Sequence, residues 1–253
     1  MPIFHKFLNK DWNNGFQTHN CILDTVPYEP EVIIIGTFNH GWAWNNADFF
    51  YGRGMYMWTI LGNMFLHNDN LMVDRRTVNN NIPTLDQIFQ ICKNGKIVFA
   101  DIVQGTKPQV PIETKQHSIL VNGEYIWYDH KDIHLDVMGT KGLLKDNVEE
   151  IVKYINTTKS IKHIYFTFKS GSWLVEKKQS IIAQAETESA CSIFTPTGNG
   201  FGQNLQQYPE RAWSMAHCWI WNDLPHPTPI NKPGYGHFNH NWLINNGVTP
   251  AHF

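Results

Sequence analysis

Three short runs of consecutive apolar residues set the pattern of the chain. They cover residues 32–35, 96–101 and 163–167, and the first ends at Gly36. Continuous apolar runs of this length indicate strands buried on both faces. Between them, residues 55–65, 84–91 and 147–155 show the apolar spacing of helices. Strands that alternate with helices predict an α/β fold with a parallel sheet.

Two segments interrupt this alternation. Around Asn122 and Gly123 the apolar stretches 118–121 and 124–128 predict a β-hairpin, which we interpret as an insertion near residues 107–134. Residues 221–253 are rich in Pro, Asn, Gly and His without periodicity, which predicts an irregular tail. Phe238 and Trp242 suggest that this tail packs against the body. We predict a single domain over residues 1–253.

Composition and charge narrow the class of protein. The 253 residues have no long apolar run, and the chain starts without the basic-then-apolar pattern of a secretion signal. We therefore expect a cytoplasmic protein that does not enter membranes. We also expect a monomer. The four cysteines form no close pair, which argues against disulfides and iron–sulfur clusters. The histidines of the last third lack zinc spacing, so we expect no metal and no cofactor. A net charge of -2 argues against a polybasic DNA binder but allows a locally basic groove.

The loop after the first apolar run is the first place to look for chemistry, because ligands of parallel sheets bind beyond the carboxyl ends of strands. This loop runs from Gly36 to Gly41. An aromatic and polar stretch up to Gly54 follows, and then a helix that contains Trp58 to Gly62.

This order of segments resembles the uracil-DNA glycosylase superfamily, most closely its hypoxanthine-type branch. That branch has an apolar strand, a Gly-Ser/Thr loop, a tyrosine-rich segment and a Trp-x-Ile-Leu-Gly helix. Later segments at residues 97–103, 164–169 and 194–198 match its further strands and its second active-site loop in the same order. Together the matches span about residues 30 to 216.

The resemblance implies a three-layer α/β/α fold with a central, mostly parallel four-stranded sheet. It implies a monofunctional DNA glycosylase, with DNA as its partner, that flips a base and hydrolyses the N-glycosidic bond to leave an abasic site. Two positions depart from the family. Phe38 stands where relatives carry a water-orienting Asp or Asn, and Met55 stands where the hypoxanthine-type branch supplies an Asn.

The catalytic candidates therefore come from neighbouring positions of the first loop. Asn39 is the first candidate for holding the attacking water, although an Asn after a strand also suits a tight turn. Asp48 is the rival, as the carboxylate of this loop, although it also suits a helix cap. His40 is a candidate donor to the leaving base, with a structural role as the alternative. For Asp101, at the end of the second apolar run, we favour a structural role over catalysis.

The remaining candidates contact the substrate or the DNA backbone. Aromatic rings on the first loop suit stacking on a flipped base, hydroxyls and glycines of the second loop suit close contact with the backbone, and cations suit phosphates. The substrate-binding candidates are Gly36, Thr37, Phe38, Tyr51, Arg53, Thr195, Thr197 and Asn199. The DNA-binding candidates are Lys169, Ser170, Gly198 and Gly200.

Two functions remain open at this point. Members of the resembled family remove uracil, deaminated purines, damaged pyrimidines and, in phage defence, glucosylated hydroxymethylcytosine. Because the first loop is rimmed by glycines, a bulky hypermodified cytosine is one hypothesis for the substrate. The alternative is a catalytically inactive member of the fold that serves as a DNA- or nucleotide-binding module, as the two altered positions suggest.

Overall fold

The computed structural model describes residues 3–41, 45–68, 71, 82–107, 112–113, 118–121, 124–127, 131–193, 211–220 and 235–252. The strands within these residues are β1 (Gln17–His19), β2 (Ile22–Thr25), β3 (Val32–Gly36), β4 (Ile97–Asp101), β5 (Val103–Thr106), β6 (Ile112–Glu113), β7 (Ser118–Val121), β8 (Glu124–Trp127), β9 (Leu144–Asp146), β10 (His163–Phe166) and β11 (Ser189–Ser192). The helices are α1 (Tyr56–Leu66), α2 (Leu85–Gly95), α3 (Asp132–Thr140), α4 (Val148–Thr157), α5 (Ser172–Gln184), α6 (Arg211–Ile220) and α7 (His240–Asn245).

The main sheet has six strands in the order β1-β2-β4-β3-β10-β11. The strands predicted from the three apolar runs are confirmed as β3, β4 and β10, and the α/β class is confirmed with them. The four strands β4, β3, β10 and β11 are parallel. The prediction of a mostly parallel four-stranded sheet is wrong, because β2 pairs antiparallel with β4 and β1 pairs antiparallel with β2. The tight turn of this added hairpin holds Asn20 and Cys21 at positive φ.

The three predicted helices are confirmed as α1, α2 and α4. The start of α2 is fixed by a capping box, in which the Thr84 hydroxyl accepts from the Gln87 amide and the Gln87 side chain accepts from the Thr84 amide. In α4 the apolar residues Val148, Ile151 and Ile155 are buried. Spacing of three and four residues places them on one side of the helix, which faces the core.

The predicted hairpin is confirmed by the antiparallel pairing of β7 with β8, in which Val121 pairs with Glu124. Its turn residues, Asn122 and Gly123, lie outside the described residues. β6 adds to β7, so the segment between β5 and α3 carries a separate three-stranded sheet.

The end of the chain packs on the body, as predicted from its aromatic residues. Phe238 and Trp242 are buried, and the indole nitrogen of Trp242 donates to the Gly95 carbonyl at 2.9 Å. The expectation of an irregular tail is wrong for residues 240–252, which form α7 and a 3₁₀ helix at Pro250–His252. Asn239 caps α7 by accepting from the Trp242 amide.

The core lies between the sheet and two groups of helices. All five residues of β3 are buried, as expected for a strand covered on both faces. Helix α1 packs against α2 and α6, whereas α5 packs against α3 and α4. Among the described segments, none of the helices has both the length and the apolar character needed to span a bilayer.

The carboxyl ends of the four parallel strands meet at one edge of the sheet. The register pairs Gly36 with Asp101, and Ile35 with Phe166, which in turn pairs with Ser192. The chain order reverses at β3, since β4 lies on one side of it and β10 on the other. Such a reversal opens a crevice beyond the strand ends, where open α/β sheets bind ligands.

Candidate functional site at the carboxyl edge of the sheet

Asp101, the last residue of β4, is the centre of a buried polar network. Its side-chain Oδ2 accepts a hydrogen bond from the Asn39 amide at 2.7 Å and lies 2.7 Å from Nε2 of His5. The Nδ1 atom of His5 accepts from the Phe7 amide at 3.0 Å, which assigns the ring proton to Nε2. A neutral His5 therefore donates to Asp101, so both neighbours supply protons to one carboxylate oxygen.

The N-terminal segment delivers His5 to this position. The His5 amide donates to the Gln104 carbonyl at 2.8 Å, and the Lys6 amide donates to the Asn39 carbonyl at 2.7 Å. An isolated antiparallel bridge joins His5 to His40. The segment is thus bonded between β5 and the first loop, which holds the imidazole against Asp101.

The other carboxylate oxygen, Asp101 Oδ1, is buried and has no hydrogen-bond partner among the described residues. It lies directly over Gly36. A Cβ atom on Gly36 would stand 2.3 Å from Asp101 Oδ1 and 2.4 Å from the Tyr51 hydroxyl, so only glycine fits here. Leaving a buried polar atom unpaired costs about 1–3 kcal/mol, so native structures rarely do it without a functional reason.

Tyr51 brings a hydroxyl to the same point. Its backbone is in the left-handed region at φ 60, and its hydroxyl lies 3.1 Å from Oγ1 of Thr167, just beyond β10. Burial, followed by the negative charge of Asp101, raises the pKa of Tyr51 well above its ordinary value. The phenol is therefore neutral and can donate a hydrogen bond to a ligand or to its neighbours.

Asp132 adds a second carboxylate. It is the first residue of α3, and its Oδ1 accepts a hydrogen bond from the Thr37 hydroxyl at 2.9 Å. Burial raises the pKa of Asp132, the hydrogen bond from Thr37 lowers it, and the negative charges of Asp101 and Asp136 raise it further. The net direction is upward, which favours the protonated form of this carboxyl group.

Among the predicted residues, Gly36, Thr37, Asn39 and Tyr51 lie together at this edge. Asn39 was expected to orient the attacking water, and its amide nitrogen is bonded to Asp101 in the structure. Asp101 makes structural bonds, to the side chains of His5 and Asn39. Its unpaired oxygen is a feature that these bonds do not explain.

Asp48 and Arg53 bind each other. Their side chains form an ion pair at 3.0 Å with 41% and 36% of the side chains exposed, and Arg53 also donates to the Pro83 carbonyl at 3.1 Å. A half-exposed carboxylate beside an arginine lacks the confined setting of Asp101. Asp48 and Arg53 are therefore each other's partners. This pairing does not test the predicted catalytic role of Asp48 or the predicted substrate contact of Arg53.

Phe38 and His40 are buried, with 7% and 2% of their surface exposed. The Phe38 ring centroid lies 5.8 Å from that of His5 and 6.4 Å from that of His40. In this arrangement the predicted stacking ring and the predicted base donor belong to the packing beneath the loop.

The predicted DNA contacts are described in part. Lys169 and Ser170 follow β10 at the same edge of the sheet, and Lys169 Nζ lies 4.5 Å from the centroid of the Tyr235 ring. Ser170 is exposed. The second-loop candidates Thr195, Thr197, Gly198, Asn199 and Gly200 lie outside the described residues. Because β11 is parallel to β10, the chain enters that loop from the same edge.

Sequence reasoning missed three contributors, His5, Asp132 and Thr167. Nothing in the local pattern marks His5, which is separated from Asp101 by 96 positions. Asp132 lies within the segment 107–134 that the sequence analysis assigned to a hairpin insertion, although an acidic residue at the start of a helix is a recognisable signal. In the described part of the chain, no group of three or more His, Cys, Asp or Glu side chains is arranged to hold a metal ion.

Comparisons with known proteins add no relative. No protein-family model, no curated protein and no solved structure gives a significant match to this chain.

Proposed function

We propose that this protein is a DNA glycosylase that hydrolyses the N-glycosidic bond of a modified or damaged nucleotide and leaves an abasic site. The observation that carries the proposal is the unpaired, buried Oδ1 of Asp101, which faces Gly36 at the crevice beyond the parallel strands. The order of sequence segments that resemble the uracil-DNA glycosylase superfamily agrees with this location. In that proposal the two helix groups cover opposite faces of the sheet and give the three-layer fold of the family.

The chemistry needs little more than such a carboxylate. Departure of the base produces an oxocarbenium-like sugar, which is stabilised by nearby negative charge and captured by an oriented water. Asp101 Oδ1 supplies the charge and accepts a proton from the water. His5 and Asn39 hold the carboxylate in place through Oδ2, so Asn39 acts by positioning Asp101.

Recognition of the base and the strand would come from the surrounding loops. The neutral Tyr51 and Thr167 hydroxyls can bond the edges of a flipped base. Lys169, Ser170 and the loop at residues 194–200 are the proposed backbone contacts, since a few local cations suffice for a slightly acidic protein. A glucosylated hydroxymethylcytosine in phage defence remains one candidate among the bases.

The test is detection of alkali-labile sites in oligonucleotides that contain uracil, hypoxanthine or glucosylated hydroxymethylcytosine, each single- and double-stranded. Asp101→Asn is the decisive variant, because its amide oxygen can still accept from His5 and Asn39 while its amide nitrogen replaces the free acceptor. We expect it to lower excision by about a hundredfold or more. The matched control is Asp48→Asn, which alters a carboxylate on the exposed side of the first loop.

Retained activity in Asp101→Asn together with loss in Asp48→Asn would transfer the water-orienting role to Asp48. Absence of abasic sites with every base would refute the glycosylase proposal.

A second candidate function is a binding module without catalysis. One observation favours it: both residues predicted to orient water already bind another side chain. Asn39 binds Asp101, and Asp48 binds Arg53. This candidate predicts salt-sensitive binding of the same oligonucleotides with no abasic sites, and Asp101→Asn would then leave DNA affinity unchanged.

A further inference from the structure

Asp132 and Asp101 flank the same short segment of the first loop. Thr37 bonds Asp132 through its hydroxyl, and the preceding Gly36 faces the free oxygen of Asp101. The two carboxylates come from different elements, α3 and β4, yet converge on residues 36–37 at the carboxyl edge. Asp101 is fully buried, and its Oδ1 is a hydrogen-bond acceptor without a partner among the described residues.

The surroundings of the two groups differ in kind. Asp101 receives two hydrogen bonds on Oδ2 from neutral donors, His5 and Asn39, an arrangement suited to an ionised carboxylate that only accepts. Asp132 has a pKa raised by burial and by the charges of Asp101 and Asp136, against the lowering hydrogen bond from Thr37. Two carboxyl groups whose environments separate their protonation states are the usual pattern of an acid and a base in one site.

Two phenols and a cation also lie near Asp132. Burial raises the pKa values of Tyr51 and Tyr235, and the charge that Asp132 carries when it is ionised raises them further, so both phenols lie near this carboxyl group. The cation at this edge, Lys169, lies over the Tyr235 ring with its ammonium 4.5 Å from the ring centroid.

We propose that Asp132 is a general acid that gives its proton to the departing base, while Asp101 takes the proton of the attacking water. This assignment rests on the proposed glycosylase function and extends it. The bond between the anomeric carbon and the base nitrogen breaks, and its electron pair goes to the base, which receives the Asp132 proton on a basic ring atom. The water oxygen bonds to the anomeric carbon and its proton goes to Asp101 Oδ1. Asp101 then releases its proton to solvent and Asp132 takes one up from solvent, which restores both groups.

The assignment specifies the class of substrate. A base that departs readily as an anion, such as uracil, gains little from an acid, because it needs no proton at the transition state. A base with a basic ring nitrogen that leaves poorly as an anion gains the full effect. Purines and cytosine derivatives belong to this second class, and Asp132 therefore favours them over uracil.

The first experiment compares Asp132→Asn with the wild type on DNA that contains hypoxanthine, glucosylated hydroxymethylcytosine or uracil. The substitution keeps an acceptor for Thr37 and removes the proton, so excision of the first two bases should fall about a hundredfold or more, and excision of uracil only a few-fold. Asp24→Asn, which alters a partly exposed carboxylate of β2, is the control and should match the wild type.

A pH profile separates an acid from a structural residue. A general acid must be protonated, so excision should decline as the pH rises through the pKa of Asp132. Thr37→Val removes the hydrogen bond that lowers this pKa, and the alkaline decline should therefore move to higher pH. A purely structural contact would lower activity at all pH values without moving the decline.

A measurement on the free protein does not depend on activity. Carboxyl ¹³C NMR should show Asp132 titrating above the ordinary range of aspartate, and Asp101→Asn should lower this midpoint because it removes a negative charge. An ordinary midpoint in the wild type overturns the assignment. The assignment is also overturned if Asp132→Asn removes every base as fast as the wild type does, or if the wild type removes only uracil. In these cases, a loss of activity in Asp101→Asn would still support the glycosylase function. Absence of excision by the wild type overturns both.

Discussion

Two His–Asp pairs of almost equal length lie in opposite environments in this protein. His5 and Asp101 are joined at 2.7 Å with 0% and 1% of their side chains exposed, whereas His19 and Asp24 are joined at 2.8 Å with 56% and 27% exposed. Both pairs join an imidazole nitrogen to an aspartate carboxylate, through Nε2 and one oxygen for His5 and through Nδ1 and both oxygens for His19. The larger difference between the pairs lies in their exposure to water.

The surroundings act in two ways. Around His19 and Asp24, water competes for both partners, and exposed pairs of this kind contribute about 0–1 kcal/mol. Around Asp101, water cannot readily replace a lost partner, so removing the neutral donor His5 leaves a buried acceptor unsatisfied at a cost of about 1–3 kcal/mol, and more when that acceptor is charged. The buried pair also receives Asn39 on the same oxygen, and Oδ1 has no partner among the described residues. Burial thus holds this carboxylate in one place and leaves one of its oxygens without a hydrogen bond.

The largest predicted effect is on stability. His5→Ala removes the donor to Asp101 and leaves a cavity beside Phe7, Phe38 and Phe50, whose rings contact the imidazole. We expect the free energy of unfolding to fall by about 3 kcal/mol or more, measured by urea denaturation at neutral pH. His19→Ala, the matched control, should cost less than about 1 kcal/mol. Equal losses in the two variants would show that burial does not distinguish the pairs.

The next effect concerns the free oxygen. Gly36→Ala would place a methyl group 2.3 Å from Asp101 Oδ1 and 2.4 Å from the Tyr51 hydroxyl, so one of them must move. We expect a loss of about 1–3 kcal/mol from overpacking, with excision abolished because the carboxylate is displaced. Gly52→Ala is the control, since the nearest atom to its new methyl would be Met55 Cε at 3.9 Å. Full activity in Gly36→Ala would mean that Oδ1 is not the reacting atom.

The elements that the sequence predicts well are those with strong local patterns. β3 is apolar at every position before its glycine, and α4 repeats its apolar residues at helical spacing. β1 and β2 were missed because they are short and partly polar, and their place is decided by their neighbours in the sheet. Local propensity carries no information about such pairing.

The residues of the candidate site also differ in whether the local sequence pattern reveals them. The first loop was found because a glycine ends a buried strand, and Asn39 and Tyr51 lie on it. His5 could not be found, because its role depends on a contact with Asp101 across 96 positions and on a tautomer set by the Phe7 amide. From the sequence, Asp48 was a catalytic candidate and Asp101 was given a structural role. The ion pair of Asp48 with Arg53 and the exposure of Asp48 emerge only in three dimensions.

The smallest predicted effect is the coupling within the exposed pair, and it is the sharpest test of the comparison. A double-mutant cycle with His19→Ala and Asp24→Ala should give a coupling free energy below about 1 kcal/mol. Raising the ionic strength from about 0.1 M to about 1 M shortens the screening length from about 10 Å to about 3 Å, so the small coupling should not increase. A cycle with His5→Ala and Asp101→Ala should give a larger coupling that salt does not change, because ions do not enter the core between the two residues. If salt weakens both couplings alike, then solvent reaches Asp101, and its unpaired oxygen would be an ordinary hydrated acceptor.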